Sequence, residues 1–329
     1  MINWDNSNRL YKIYYRFRPY TFFILKRIQK GVSIFSIIRT QFPFILPDAS
    51  IPPSIALEFS GFCDIKCKYC NNHYKKREKG FLNESILNKI INDFGGHKVE
   101  LVAVGGGEPT LNPSFEALSF KLAKVTKYLC ITTNGQWPDT KIADILLNCS
   151  YSQIDISLDS GGKEMYEYSR EKASYDRVIS NINYLIKKKK ELKSKTLIVI
   201  RLMIRPSQSN SFKSEIKYWR KKVDLVLPQY IIKTDISDYS EDVYIPINFI
   251  NNSTRRCTIP FKNLSIRWNG DIPVCSYADN RYPEQLIIGN INNDNIFNIW
   301  NSQSFINLRN AHRKRSYNNI FFCNQCFGV

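Results

Sequence analysis

The sequence predicts an α/β protein: a partial (β/α)6 barrel of the TIM type with a small, cysteine-bearing C-terminal cap domain. Three observations carry this reading. Short apolar runs alternate with helix-like stretches from Ser54 onward, giving strand candidates at 54–60, 98–104, 128–133, 152–158, 196–204 and 224–231. Such alternation argues for a parallel sheet covered by helices. On strand count alone a doubly wound sheet would serve as well, but polar and glycine-rich motifs fall at the carboxyl ends of successive strands, where (β/α) barrels place their chemistry. After residue 250 the alternation ends, and Cys257, Cys275, Cys323 and Cys326 follow. Three segments result: an extension over 1–50, a core over 51–249 and a cap over 250–329.

The extension sets eight basic residues (Arg9, Lys12, Arg16, Arg18, Lys26, Arg27, Lys30 and Arg39) against Asp5 and Asp48, interleaved with Tyr and Phe. It is expected to pack on the barrel, with contact to an anionic membrane surface as the other use of such a segment. Pro43, Pro47, Pro52 and Pro53 close it with extended backbone. The 329 residues carry 47 Lys and Arg against 29 Asp and Glu, a formal charge of +18. That balance suits nucleic acid, anionic lipid or an acidic substrate. The basic residues are spread throughout, however, and the one run, Lys187–Lys190, falls at a helix end where cations are favoured anyway. No specific nucleic-acid binding is predicted. No apolar run reaches the ~18 residues of a membrane span, and the first 50 residues lack the pattern of a signal peptide. A cytoplasmic location is expected, and there clustered cysteines indicate metal more often than disulfides.

The first strand leads into Cys63, Cys67 and Cys70, spaced by three and then two residues. Three thiolates on one loop can hold three irons of a [4Fe–4S] cluster and leave the fourth open to an exchangeable ligand; a structural zinc is the plainer alternative. A helix is predicted from Asn83 to Phe94, stopped by Gly95-Gly96. The second strand ends in Gly105-Gly106-Gly107-Glu108-Pro109, where glycines let the backbone approach a ligand closely. Asn112-Pro113 reads as the capped start of the next helix. The third strand ends Thr132-Thr133-Asn134-Gly135, and the fourth reads Asp155-Ile156-Ser157-Leu158-Asp159. Polar side chains at two adjacent strand ends suit ribose hydroxyls. Arg170 precedes a helix over 175–190.

The cysteine loop followed by the GGGEP turn on the next strand resembles the radical S-adenosylmethionine (radical SAM) superfamily. The resemblance implies that Cys63, Cys67 and Cys70 ligate a [4Fe–4S] cluster whose open iron is chelated by S-adenosylmethionine. It further implies cofactor contacts by Tyr69 (adenine), by Gly105, Gly106, Gly107 and Glu108, by Asn134, Ser157 and Asp159 (ribose), and by Arg170 (carboxylate). The family's chemistry is reductive cleavage to a 5′-deoxyadenosyl radical that abstracts hydrogen from a substrate. The downstream pattern of Cys257, Gly270 and Cys275, then Gly289-Asn290-Ile291, Trp300 and Cys323-Asn324-Gln325-Cys326, resembles the SPASM extension in its shortened twitch form. This implies one auxiliary [4Fe–4S] cluster held by Cys257, Cys275, Cys323 and Cys326, with a structural zinc again the alternative. The expected substrate is a small molecule, sugar- or aminoglycoside-like, undergoing net oxidation or rearrangement, with a flavodoxin- or ferredoxin-type electron donor. A peptide-modifying maturase is the alternative, and a non-catalytic iron–sulfur carrier is the reading from another class. His73, His97 and His312 sit in no metal or triad spacing. Cys130 and Cys149 are left over: parity with Asn134 turns Cys130 into the barrel interior, about 13 Å below it at ~3.3 Å per residue, and Cys149 falls at the opposite end of the barrel.

Overall fold

The computed structural model describes residues 22–70, 72, 78–208, 212–231, 242–243, 257–275, 286–316, 320 and 323. Cys326 and His73 lie outside the described residues. All six expected strands form: β1 (Ser54–Ser60), β3 (Val99–Gly106), β4 (Thr126–Thr133), β5 (Gln153–Asp159), β7 (Leu197–Ile204) and β8 (Leu225–Tyr230). A seventh, β9 (Asn263–Ile266), joins the same sheet in the order β8-β7-β5-β4-β3-β1-β9, and every pairing in it is parallel. The segment expected to begin a separate cap therefore donates its first strand to the core sheet, with Ser54 opposite Asn263 and Leu57 opposite Ile266.

Alternation along each strand explains the layering. Ile55, Leu57 and Phe59, Val102 and Val104, Leu129 and Ile131, Ile154, Ile156 and Leu158, and Ile198, Ile200 and Leu202 all point to one face and are buried in the main core. The helices Glu84–Asp93, Phe115–Val125, Lys141–Asn148 and Tyr175–Glu191 supply the other half of that core, through residues such as Leu87, Leu118, Leu146 and Ile182. The opposite, inner face is polar: Glu58 and Ser60, Thr132, Gln153, Asp155, Ser157 and Asp159, Arg201 and Arg205. A ladder of hydrogen bonds climbs it, from Tyr128 Oη to Gln153 Oε1 (2.7 Å), from Gln153 Nε2 to Asp155 Oδ1 (2.6 Å), and from Arg201 Nε to Asp155 Oδ2 (2.8 Å). Unlike a closed eight-stranded barrel, whose interior is filled by apolar side chains, this sheet leaves half-exposed polar positions along its inner face.

Local signals set the helix ends. Asn83 caps Glu84–Asp93 by accepting from Ile86 N–H at 2.9 Å, and Gly95 and Gly96 follow with φ of +55° and +85°. Asn112 caps the turn that leads into the helix Phe115–Val125, its Oδ1 accepting from Ser114 N–H (2.8 Å) and its carbonyl from Phe115 N–H (2.9 Å), while its amide donates to Phe59 O (2.7 Å) and Leu82 O (2.9 Å).

The described part of the N-terminal extension packs as expected. Val32 and Ile37 close the lower end of the inner face against Tyr128, beside Leu101 and Cys130, and Ser33 N–H donates to Glu100 (2.7 Å). Further on, Ala49 O and Ser50 O accept from Trp300 Nε1 (2.6 Å) and Asn301 Nδ2 (2.9 Å). Asp48 pairs with Arg313 (2.6 Å), and Phe44 meets Phe261 edge-on. No helix among the described residues is long and apolar enough to cross a membrane.

Candidate active site

At the carboxyl end of β1 the chain enters the three-cysteine loop, which its neighbours hold by the backbone. Gly61 N–H donates to Gly80 O (2.8 Å), Gly107 N–H to Ser60 O (2.6 Å), and Glu108 N–H to Phe62 O (2.7 Å). Cys67 lies in a two-residue strand, β2 (Lys66–Cys67), which pairs antiparallel with β6 (Arg170–Glu171) and sets Cys67 opposite Arg170. Burial pushes the Cys63 and Cys67 thiols from the usual 9.0 to about 12, and each also feels the charge of Cys70, so the three sulfurs lie in one another's fields. A cation bound there would stabilise the thiolates and release their protons to solvent. Among the described residues no three Cys, His, Asp or Glu side chains converge on one point; cluster ligands, each serving a different iron, do not need to. Asn134, at the end of β4, reaches across to this loop: its Nδ2 donates to Asp64 Oδ1 (2.7 Å) and lies 3.9 Å from Cys63 Sγ.

Two of the three glycines in the GGGEP turn are fixed as glycine by contact or conformation, and the third is open. A Cβ on Gly107 would lie 1.9 Å from the Phe62 carbonyl oxygen. Gly106 has φ +107°, and a Cβ there would meet the Glu58 side chain at 2.5 Å. At Gly105 a Cβ would meet nothing within 4 Å, so this position faces open space beside the loop. Glu108 is buried and committed to the chain itself. Its Oε1 accepts from Thr110 Oγ1 (2.7 Å) and Thr133 Oγ1 (2.8 Å), and its Oε2 from Asn134 N–H (2.7 Å). It ties the turn after β3 to the end of β4, and burial lifts its carboxyl from the usual 4.5 to about 7.

Asp159, Arg170 and Tyr69 come together, although sequence reasoning gave them separate cofactor contacts. Asp159 Oδ1 accepts from Tyr69 Oη (2.7 Å) and from Arg170 Nε (2.9 Å) and Nη2 (2.7 Å). A residue not anticipated, Arg205 at the end of β7, lies 3.6 Å from Asp159 Oδ2 and also donates to Ser169 Oγ. Two guanidinium groups thus face Asp159 in a buried cluster beside the cysteine loop. Ser157 is half-buried on the inner face, opposite Arg201 in register. Cys130 also faces inward, low in the sheet, with its thiol 3.5 Å from Val102 O. Cys149 is buried in the outer core.

In the C-terminal region Cys257 precedes the helix Ile259–Lys262, and Cys275 follows β10 (Asp271–Pro273), which pairs with β11 (Ile287–Asn290). Gly270 turns into β10 with φ +89°, where a Cβ would meet Asn292 and Ile291 within about 3 Å. His312, in the last turn of the helix Gln303–Lys314, sits between two of these cysteines. Its Nδ1 is 3.4 Å from Cys257 N and its Nε2 is 3.5 Å from Cys323 Sγ. Burial holds the ring neutral, pushing it down to about 4. Its spacing in the sequence gave no sign of this.

A search against family models matches residues 57–205 to the radical SAM superfamily and residues 257–327 to an iron–sulfur cluster-binding domain, SPASM. The chain carries a radical SAM domain followed by a SPASM domain. The radical SAM domain implies a [4Fe–4S] cluster with S-adenosylmethionine, and the SPASM domain implies auxiliary iron–sulfur binding. Among curated radical SAM relatives, the mycofactocin maturase MftC of Mycobacterium tuberculosis is 28% identical over 134 residues, 41% of this chain and 34% of that one. The mitochondrial GTP 3′,8-cyclase of Arabidopsis thaliana is 28% identical over 129 residues, 38% and 33% of the two chains. The chain thus spans about a third of the length of these relatives. Among solved structures, BtrN in complex with AdoMet and 2-DOIA superposes with a TM-score of 0.57 at 17% identity, over 86% of this chain and 95% of that one. Streptococcus suis SuiB bound to its precursor peptide SuiA gives 0.58 at 15%, over 80% and 67%. These likenesses show the radical SAM fold.

Proposed function

We propose that the chain binds S-adenosylmethionine at the Cys63/Cys67/Cys70 loop and uses the resulting radical on a polar small molecule held against the inner face of the sheet. When bound, the cluster supplies one electron to cleave S-adenosylmethionine into methionine and a 5′-deoxyadenosyl radical. The observation that carries the reading is the arrangement at the carboxyl ends of β1, β3 and β4. There the three-thiol loop is bonded to the GGGEP turn through Gly107 and Glu108, and to Asn134 through Asp64. Open space at Gly105 suits close approach of a ligand to the backbone. The guanidinium of Arg170, held by Asp159, suits the cofactor's carboxylate, with Tyr69 oriented by the same Asp159. In this reading Ser157 and Asn134 serve the ribose hydroxyls. Glu108 acts by bracing the turn, its oxygens being taken up by Thr110, Thr133 and Asn134.

On the same inner face Thr132, Arg201, Met203 and Gln229 occupy partly or fully exposed positions. Such a lining favours a substrate with hydroxyl or amino groups, and Val32 and Ile37 exclude water from beneath. Cys130 and Cys149 both sit away from the strand ends, so neither returns a hydrogen atom to a substrate radical formed there. The outcome is net oxidation or rearrangement, with a flavodoxin- or ferredoxin-type donor supplying electrons. A peptide substrate is the second reading, favoured by the similarity to a mycofactocin maturase and to a peptide-bound SuiB.

The test is anaerobic reconstitution. The full chain takes up about eight irons, four for each cluster, and forms 5′-deoxyadenosine under reduction. Replacing Cys63, Cys67 and Cys70 with Ala halves the iron and abolishes that product. Stoichiometric zinc without iron overturns the reading. Reaction outcomes are separated by turnover in deuterated buffer: solvent deuterium in a product of unchanged formula, lost on Cys130→Ala or Cys149→Ala, contradicts the oxidative outcome.

The N-terminal extension has a second task in this proposal, peripheral contact with an anionic membrane surface. The helix Ile34–Gln41 and the turn after it leave Phe35 81%, Phe42 55% and Ile45 81% exposed, close in sequence to Lys26, Lys30 and Arg39.

A further inference from the structure

We propose that His312 donates an Nε2–H hydrogen bond to the Cys323 sulfur and thereby raises the reduction potential of the auxiliary cluster. The inference rests on ligation of that cluster by Cys257, Cys275, Cys323 and Cys326. The tautomer follows from geometry. A backbone N–H only donates, so the Cys257 N–H, 3.4 Å from Nδ1, requires a lone pair there. A neutral imidazole that accepts at Nδ1 carries its hydrogen on Nε2, the nitrogen 3.5 Å from Cys323 Sγ. One ring thus links the first and third cysteines of the set, accepting from the backbone of one and donating to the sulfur of the other.

The ring has little freedom to leave this position. His312 is 4% exposed. Its helix is pinned one turn earlier by Arg309, whose Nε donates to Pro260 O (2.9 Å) and whose Nη2 donates to Trp300 O (2.8 Å). One residue later Arg313 pairs with Asp48 (2.6 Å). Burying an imidazole is unfavourable unless both nitrogens find partners, and here each has one. A donor on a thiolate sulfur draws negative charge off the cluster and favours the state richer by one electron. His312 is therefore a positioning residue that eases electron uptake at the cap. It is not an iron ligand, and no proton leaves it.

The experiment uses the full chain with Cys63, Cys67 and Cys70 replaced by Ala, so that only the cap cluster contributes to the EPR signal. Potentials are measured for this parent and for His312→Phe and His312→Gln. The expected result is about four irons in each and a more negative midpoint for His312→Phe. A tenfold weaker reduction equilibrium corresponds to ~59 mV for a one-electron couple. His312→Gln, whose amide can still donate, recovers most of that shift. An unchanged midpoint in His312→Phe overturns the inference. So does loss of iron from both variants, or a strong directly bonded nitrogen coupling in the 15N-histidine-labelled parent, since either makes His312 a ligand. A parent that takes up no iron shows instead that the four-cysteine ligation is wrong.

Discussion

Gly105→Ala and Gly107→Ala place the same methyl group two residues apart in one turn and should behave in opposite ways. At Gly107 the new Cβ would lie 1.9 Å from the Phe62 oxygen and 2.6 Å from the Phe62 carbonyl carbon, both backbone atoms of the cysteine loop. Relief to the ~3.5 Å of ordinary contact requires turn and loop to part by about 1.6 Å. That movement breaks the bonds from Gly107 N–H to Ser60 (2.6 Å) and from Glu108 N–H to Phe62 (2.7 Å). At ~1 kcal/mol for each bond and ~1–3 kcal/mol for overpacking, the cost is about 3–5 kcal/mol. A melting point lower by on the order of 10 °C follows, with iron falling from about eight towards four because the first cluster's loop is displaced while the cap is untouched. At Gly105 the Cβ meets nothing within 4 Å, so folding and iron content should match the parent. Only the affinity for S-adenosylmethionine should fall, by filling space the ligand uses. The assays are anaerobic iron quantification, thermal denaturation and S-adenosylmethionine titration. A Gly107→Ala protein that melts and binds iron like the parent refutes the reasoning, as does a Gly105→Ala protein that loses iron.

Three further outcomes follow from the site and its surroundings. Asp159→Asn leaves Arg170 buried without its counter-charge and should destabilise the protein by ~3–5 kcal/mol; a melting point equal to the parent's would show that the pair carries little. Because burial lifts Glu108 from 4.5 to about 7, the folded protein holds a proton across that window that the unfolded chain has released. Stability should therefore fall as pH rises through it, by up to ~1.4 kcal/mol per pH unit. Glu108→Gln should flatten that slope in urea titrations, and an undiminished slope contradicts the assignment. Finally, the full chain should co-sediment with anionic vesicles at low salt and be released at high salt, and Phe35→Ser with Ile38→Ser should abolish sedimentation; equal sedimentation of the two proteins would place membrane contact elsewhere.

What could be read from the sequence was local. The six strands were legible because residues such as Ile154, Ile156 and Leu158 alternate with Asp155, Ser157 and Asp159, and a period of two needs no tertiary knowledge. The cysteine loop was legible because its three thiols lie within eight consecutive positions, 63–70. Long-range partnerships were not. β2 and β6 are two residues each and carry no periodicity, so nothing announced that Arg170 would stand opposite Cys67. Arg205 reads as the end of an apolar strand until the fold sets it beside Asp159. Asn112 was legible as a cap, since its Oδ1 accepts from Ser114 N–H, but not as the residue whose amide also ties two distant carbonyls, Phe59 and Leu82. His312 depends on a cysteine before its helix and another after it, a relation that spacing does not encode.

The pairing of β9 with β1 bears on how electrons can move through the molecule. β1 is gripped at its start by the C-terminal region, where Ser54 Oγ meets Lys262 O (2.7 Å) and Asn263 Oδ1 (2.9 Å). Its far end runs directly into Cys63. Glu58 in the same strand accepts from Trp268 N–H (3.4 Å), and the Trp268 ring lies over Gly80, where a Cβ would come within 2.5 Å of it. A single strand therefore ties the cysteine loop to the C-terminal region, and the two cannot part without unzipping the β1–β9 pairing; were both to hold clusters, the distance between them would be set when the chain folds.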